Sequence, residues 1–281
     1  FRDEREAALA SYAEALGLFR AVGARLGEAN VLQAIGDVQQ FRKDLEAALA
    51  SYAEALGLFR AVGARLGEAN VLKAIGDVQQ FRDEREAALA SYAEALGLFR
   101  AVGARVGEAN VLQAIGDVQQ FRDEREAALA SYAEALGLFR AVGDRVGEAN
   151  VLQAIGDVQQ FRDEREAALA SYAEALGLFR AVGARVGEAN VLAAQTRLAL
   201  AAGDLAAAET QLEQVILMRR AIGDLYSEGA DYGNFAIALL NLGQKEKARE
   251  YALKARKVFE KVGEAGILQQ VDGLIAACEA E

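Results

Sequence analysis

Residues 81–120 read FRDEREAALASYAEALGLFRAVGARVGEANVLQAIGDVQQ, and nearly the same forty residues occur five times, in rows beginning at residues 1, 41, 81, 121 and 161. The likeness breaks at Ala193, but the register survives. Ala8, Ala48, Ala88, Ala128, Ala168, Ala208 and Ala248 share one column, and the glycines from Gly23 to Gly223 and Gly263 share another. A fixed period of this length marks a repeat array, in which each block is one supersecondary unit leaning on its neighbours. The expected organisation is a single array over residues 1–281, near-identical across 1–192 and diverged, with a C-terminal capping helix, across 193–281.

Within a block, Leu45, Ala48, Leu49, Tyr52, Ala55, Leu56, Phe59 and Val62 fall on one arc at helical spacing, which predicts a helix from about Asp44 to Val62. Gly63 ends it, since glycine takes the left-handed conformation that closes a helix. A second helix is predicted from about Gly67 to Arg82, with Val71, Leu72, Ile75 and Val78 on its apolar side. Two antiparallel helices with one apolar face each cannot bury those faces alone, so the hairpins must stack. The expected fold is all-α, with six complete hairpins, a leading helix at about residues 4–22 and a closing helix at about 264–280.

Composition narrows the function. With 53% hydrophobic and 26% charged residues, the chain has ample material for an ordered core. The formal charge of −11 opposes a phosphate backbone or an anionic membrane, and no basic patch stands out, so neither nucleic acid nor membrane is an expected partner. There is no His and one Cys, Cys278, which removes histidine-based catalysis, an internal disulfide and a thiolate metal cage. No GxxxxGK phosphate loop occurs. Acidic pairs such as Asp3–Glu4 sit at helix starts, where they serve the helix dipole. No catalytic residue, metal or cofactor is expected, and the segment is not read as an enzyme. No apolar run approaches a membrane span, and the lone cysteine fits a reducing, cytoplasmic setting. A chain that opens at Phe1, partway through a repeat and without Met, is expected to be a fragment.

Leu32, Ile35, Gly36, Ala48 and Tyr52, and again Leu72, Ile75, Gly76, Ala88 and Tyr92, resemble the tetratricopeptide (TPR) pattern, in which small residues let two helices approach and an aromatic fills the gap beyond. The usual proline is absent, Gln39 stands where an aromatic is expected, and the repeat is longer than the common form. The link Gly143-Asp144-Arg145-Val146-Gly147-Glu148-Ala149 is similar to the extended repeats of Leu-Gly-Asn scaffolds and of sensor arrays on bacterial signalling ATPases. The resemblance implies a right-handed solenoid of stacked antiparallel hairpins. It also implies a concave groove lined by the first helix of each hairpin, the shorter one.

The polar face of that helix supplies the candidate groove: Asn30, Gln33, Asp37 and Gln40; Asn70, Lys73, Asp77 and Gln80; Asn110, Gln113, Asp117 and Gln120; Asn150, Gln153, Asp157 and Gln160. Amides both donate and accept hydrogen bonds, so such a ladder suits a peptide backbone, and the aspartates favour a basic or amide-rich guest. Aspartate stands where carboxylate-clamping members of the family often carry Asn, which disfavours capture of a C-terminal carboxylate. Phe41, Phe81, Phe121 and Phe161 read first as turn packing and second as anchors for a guest. Gln39 and its copies point into the apolar arc and need a partner from a neighbouring helix or water. Gly57 and its copies read as close packing against the next hairpin, and Cys278 as a small buried hydrophobe.

The leading reading is a protein-interaction scaffold holding a polypeptide segment in its groove. A structural spacer or end-to-end self-assembling rod is the second, motivated by near-identity even at surface positions such as Ala50 and Ala53. The sensor arm of a larger signalling protein is the third.

Overall fold

The computed structural model describes residues 2–279, with side chains described from residue 6. Among these residues there are helices and no strand. Packing divides the chain into two units, Phe1–Asp144 and Arg145–Glu281.

The first unit holds α1 (Arg2–Ala21), then the hairpins α2 (Arg25–Phe41) with α3 (Leu45–Val62), α4 (Arg65–Phe81) with α5 (Arg85–Val102), and α6 (Arg105–Phe121) with α7 (Arg125–Val142). The second holds α8 (Arg145–Phe161) with α9 (Arg165–Val182), α10 (Arg185–Ala201) with α11 (Leu205–Ile222), α12 (Leu225–Asn241) with α13 (Lys245–Val262), and α14 (Ala265–Glu279). The leading helix, six hairpins and closing helix lie where the periodicity puts them. The shorter helices begin two residues before the expected Gly67, directly after the Gly63–Ala64 turn. Phe1 and Ala280, which the sequence reading also used, lie outside the described residues, as do the side chains of Asp3 and Glu4.

Two turns alternate. Gly63 adopts φ 70°, and the Ala64 amide donates back to the Phe59 carbonyl at 2.9 Å. The turn inside each hairpin is also left-handed, but at a residue with a side chain: Lys43, Asp83, Asp123 and Asp163 have φ of 60–62°. Gly203 and Gly243 hold the same position in the diverged repeats. Asp tolerates this conformation better than Lys does, so Lys43 is the most strained member of the column.

The predicted arc is the core except at its last member, Val62, which is 40% exposed. Ala48, Tyr52, Ala55 and Phe59 are buried with Ala29, Leu32, Val71 and Val78 in one cluster, which Leu45, Leu49, Leu56 and Ile75 flank. The next hairpin repeats the arrangement around Tyr92 and Phe99. In α1 the equivalent Tyr12 is only half-buried. Helices close tightly over glycine both within a hairpin and between one hairpin and the next. A Cβ on Gly36 would lie 2.5 Å from the Tyr52 ring, and one on Gly67 would lie 2.4 Å from the Phe59 ring. Gly57 does not behave as the sequence reading expected. A Cβ there, or on Gly97, Gly137 or Gly177, meets nothing within 4 Å. These glycines face open space and close no contact.

Candidate functional site

On each first helix of the near-identical hairpins, the four polar residues of the ladder fall on one face, but they are not equivalent. Asn30, Asn70, Asn110 and Asn150 are exposed, with Gln33, Gln113 and Gln153 half-exposed beside them. The aspartate and the second glutamine are tied to the hairpin itself. The Tyr52 hydroxyl donates to Asp37 Oδ1 at 2.7 Å and lies 2.8 Å from Gln40 Oε1. A phenol has one proton to give, and the carboxylate takes it. The Gln40 amide, whose O and N exchange by rotation, then meets the phenol oxygen as a donor. Tyr92 makes the same contacts with Asp77 and Gln80, Tyr132 with Asp117 and Gln120, and Tyr172 with Asp157 and Gln160.

The diverged repeats show that this is one structural device. Where Tyr gives way to Leu212, the paired Gly, Asp and Gln columns become Thr196, Arg197 and Leu200. A ring packed on glycine and a hydroxyl at its tip impose three partners, and all three change with the ring. Burial, together with the facing carboxylate, pushes the Tyr52, Tyr92 and Tyr172 phenols above the ordinary tyrosine range. Burial also raises the Asp157 carboxyl, against the opposing pull of Tyr172 and Arg197.

Gln39, Gln79, Gln119 and Gln159 find the expected partner on a neighbouring helix. Ser51 Oγ donates to Gln39 Oε1 at 2.7 Å, and Ser91, Ser131 and Ser171 do the same for the other copies. The aromatic row corrects the sequence reading. Phe41, Phe81, Phe121 and Phe161 are 65–68% exposed and are not buried at the turn.

Three of these rings border two depressions in the first unit. One, of about 430 Å³, lies between Phe41 and Phe81 and is lined by Asp37, Gln40, Lys43, Leu45 and Asp77. The other, of about 510 Å³, lies between Phe81 and Phe121 over Asp77, Gln80 and Val118, with Asp83 and Arg85 at its rim. In the second, the Arg85 guanidinium sits 5.9 Å from the Phe121 ring centroid, donates to the Phe121 carbonyl at 3.3 Å and pairs with Asp83 at 2.7 Å. In the first, Leu45 holds the place of Arg85 and Lys43 that of Asp83. Lys73 caps the far side of Asp77, Nζ to Oδ2 at 2.7 Å. A third depression is lined by Asn30, Gln33 and Asn70 with Leu26, Leu66 and Val102.

Elsewhere many of the charges are matched internally. Arg20 pairs with Glu28 and Glu54, Arg60 with Glu68 and Glu94, and Arg100 with Glu108 and Glu134, a staple repeated along the first unit. In the second unit Arg180, with Arg185, holds the Glu188 carboxyl below the usual carboxylate range. The helix α13 is strongly basic, which the sequence reading passed over, but Lys247, Arg249, Lys254 and Arg256 are all paired to carboxylates. Arg219 is buried in the column of Phe59, bonded to Asp231 at 2.9 Å, Asn190 at 2.8 Å and Asp224 at 3.3 Å. Cys278 is buried as expected, and burial raises its thiol. Among the described residues no helix is long and apolar enough to cross a membrane.

No protein-family model and no curated protein sequence matches the chain. Solved structures do. The apo form of RapI aligns over 92% of this chain and 94% of its own, with a TM-score of 0.77 and 14% identity. The Rap conjugation regulator of plasmid pLS20, solved with its Phr* peptide, aligns over 90% and 73%, with a TM-score of 0.64 and 15% identity. A signal-transduction ATPase with a tetratricopeptide repeat sensor, from Pyrococcus horikoshii, aligns over 99% and 43%, with a TM-score of 0.66 and 15% identity. At such low identity the likeness shows the fold alone. In fold, then, the chain is an all-α, tetratricopeptide-type repeat solenoid.

Proposed function

We propose that the chain is a protein-interaction scaffold, a single array whose first helices hold a polypeptide segment along a concave groove. The observation that carries this reading is the recurrence, on α2, α4 and α6, of an exposed Asn, half-exposed polar side chains and, at the helix end, a two-thirds-exposed phenylalanine. Amides matched to a peptide backbone, with apolar rings for its side chains, are the ordinary chemistry of peptide capture. The acidic balance favours a basic or amide-rich guest over most of the face. The peptide in the pLS20 Rap structure supports the reading by analogy of fold. No catalytic role is proposed, and a soluble, cytoplasmic setting suits the scaffold.

The rod reading has less support. On α14, Gln269, Asp272 and Ala276 stand in the columns of Ala29, Leu32 and Gly36, so the tyrosine-bearing helix that seats on α2 has no matching seat there. The sensor-arm reading is the same groove in a longer protein.

Titration of a peptide selected on the full chain from a random library tests the scaffold. Asn110→Ala and Gln113→Ala should weaken saturable binding without altering the melting temperature. They are better probes than Asp77→Ala, because Asp77 also holds Tyr92. Affinities equal to wild type in both variants would remove the ladder from the binding site.

A further inference from the structure

Row 41–80 differs from row 1–40 at only four positions, Lys43, Asp44, Leu45 and Lys73, where the first row has Asp3, Glu4, Arg5 and Gln33. Three of the four converge on one place. Lys43 and Leu45 line the depression between Phe41 and Phe81, and Lys73 pairs with Asp77, which lines it too. In the neighbouring depression the ring of Phe121 has the Arg85 guanidinium beside it and an acid, Asp83, at the rim. Here an aliphatic side chain replaces the guanidinium and a cation replaces the acid. No carboxylate lies within ion-pair distance of Lys43 among the described residues. Its backbone is held in the left-handed conformation, φ 61°, that the other repeats fill with Asp or Gly. Strain retained at one copy of a repeated turn needs a local reason, and a ligand contact is one.

The repetition supplies the argument for what the difference does. Identical rungs bind a guest equally well in any register, so a ladder of them cannot fix where a segment sits. A rung that differs can, because only one alignment places the matching side chains against it. We infer that the depression between Phe41 and Phe81 is the specificity pocket of the groove. Its occupant is a bulky apolar side chain of a partner polypeptide, seated on Leu45 between the two rings. An acidic residue next to it in the guest pairs with Lys43. The charge complementarity is local. Relative to the first row the substitutions shift the formal charge by +2, in a chain whose net charge is −11. The inference rests on the peptide-groove reading and adds the chemistry of the anchor.

The test pans a random dodecapeptide phage library on the full chain and on the variant Lys43→Asp/Leu45→Arg/Lys73→Gln. That variant restores residues that other rows already carry at these positions, so its folding is not in question. Wild type should enrich peptides with a bulky apolar residue beside Asp or Glu. The variant should bind those peptides about tenfold or more weakly, and replacing the apolar residue of the peptide by Ala should cost affinity on wild type but little further on the variant. If the variant binds the same peptides as tightly, or the enriched peptides lack the apolar–acidic pair, the pocket proposal is overturned while Asn110→Ala still reports on the groove. If wild type enriches no peptide family at all, the groove reading and the pocket fall together.

Discussion

The Tyr92 ring packs directly on Gly76, so closely that a Cβ on the glycine would lie 2.5 Å from the ring. Tyr92 is fully buried and cannot step aside. Gly76→Ala should therefore destabilise the array by roughly 1–3 kcal/mol, as overpacking does in a filled core. Gly97→Ala, in an open helical position, should stabilise it by about 1 kcal/mol through helix propensity alone. Denaturant melts of the two variants should move in opposite directions. A loss on Gly97→Ala would show that the site is not open.

The phenol at the tip of the same ring carries a pH dependence. Burial first, and the Asp77 carboxylate second, raise the Tyr92 pKa above its ordinary value of 10.0, and Tyr52 and Tyr172 are raised too. A group raised on folding adds stability that is fully present below its unfolded pKa and is lost as pH rises through the folded one. Melting temperature should hold steady up to about pH 10 and fall above it. Tyr92→Phe should lower stability by about 1 kcal/mol at neutral pH and flatten part of the alkaline slope. Indifference of the melt to pH 11 would contradict the buried hydrogen-bonded phenols.

Arg219 replaces the core phenylalanine of the other repeats, and the partners around it have changed to suit. Asp231 stands in the column of Val71, and Ser227 in that of Gly67, the glycine on which Phe59 packs. Arg219→Ala strands Asp231 in a half-buried site and should cost about 3–5 kcal/mol. Arg219→Phe alone should clash with Ser227. The triple variant Arg219→Phe/Ser227→Gly/Asp231→Val should recover most of the loss, and a thermal melt of all three would show whether the cluster is a matched set.

Glu188 gives the acid-side counterpart. Its hydrogen bond from Arg180 leads the lowering of its pKa, so its contribution is present above the unfolded value of about 4.5 and is lost as pH falls through the folded one. Arg180→Ala should lower stability at neutral pH by about 1 kcal/mol or less, given the exposure of the arginine, with the difference from wild type shrinking below pH 4. A difference that persists at low pH would assign the effect to packing by the arginine stem.

Periodicity decided the helices, their pairing and the columns that form the core, because helical spacing and a forty-residue period are properties of order along the chain. Glycines after the longer helices announced their left-handed turns. The turn at Lys43 and Asp83 was hidden, although Gly203 and Gly243 in the same column carried the signal. The open surroundings of Gly57, the exposure of Phe81 and the tethering of Asp77 to Tyr92 depended on neighbours far along the chain, and one helix face looks the same in sequence whether a ring covers it or water does. The sequence alone therefore determined that hairpins repeat and which faces they bury. Only tertiary packing decided which polar side chains the hairpin keeps for itself and which it leaves for a partner, since that choice is made by distances between helices.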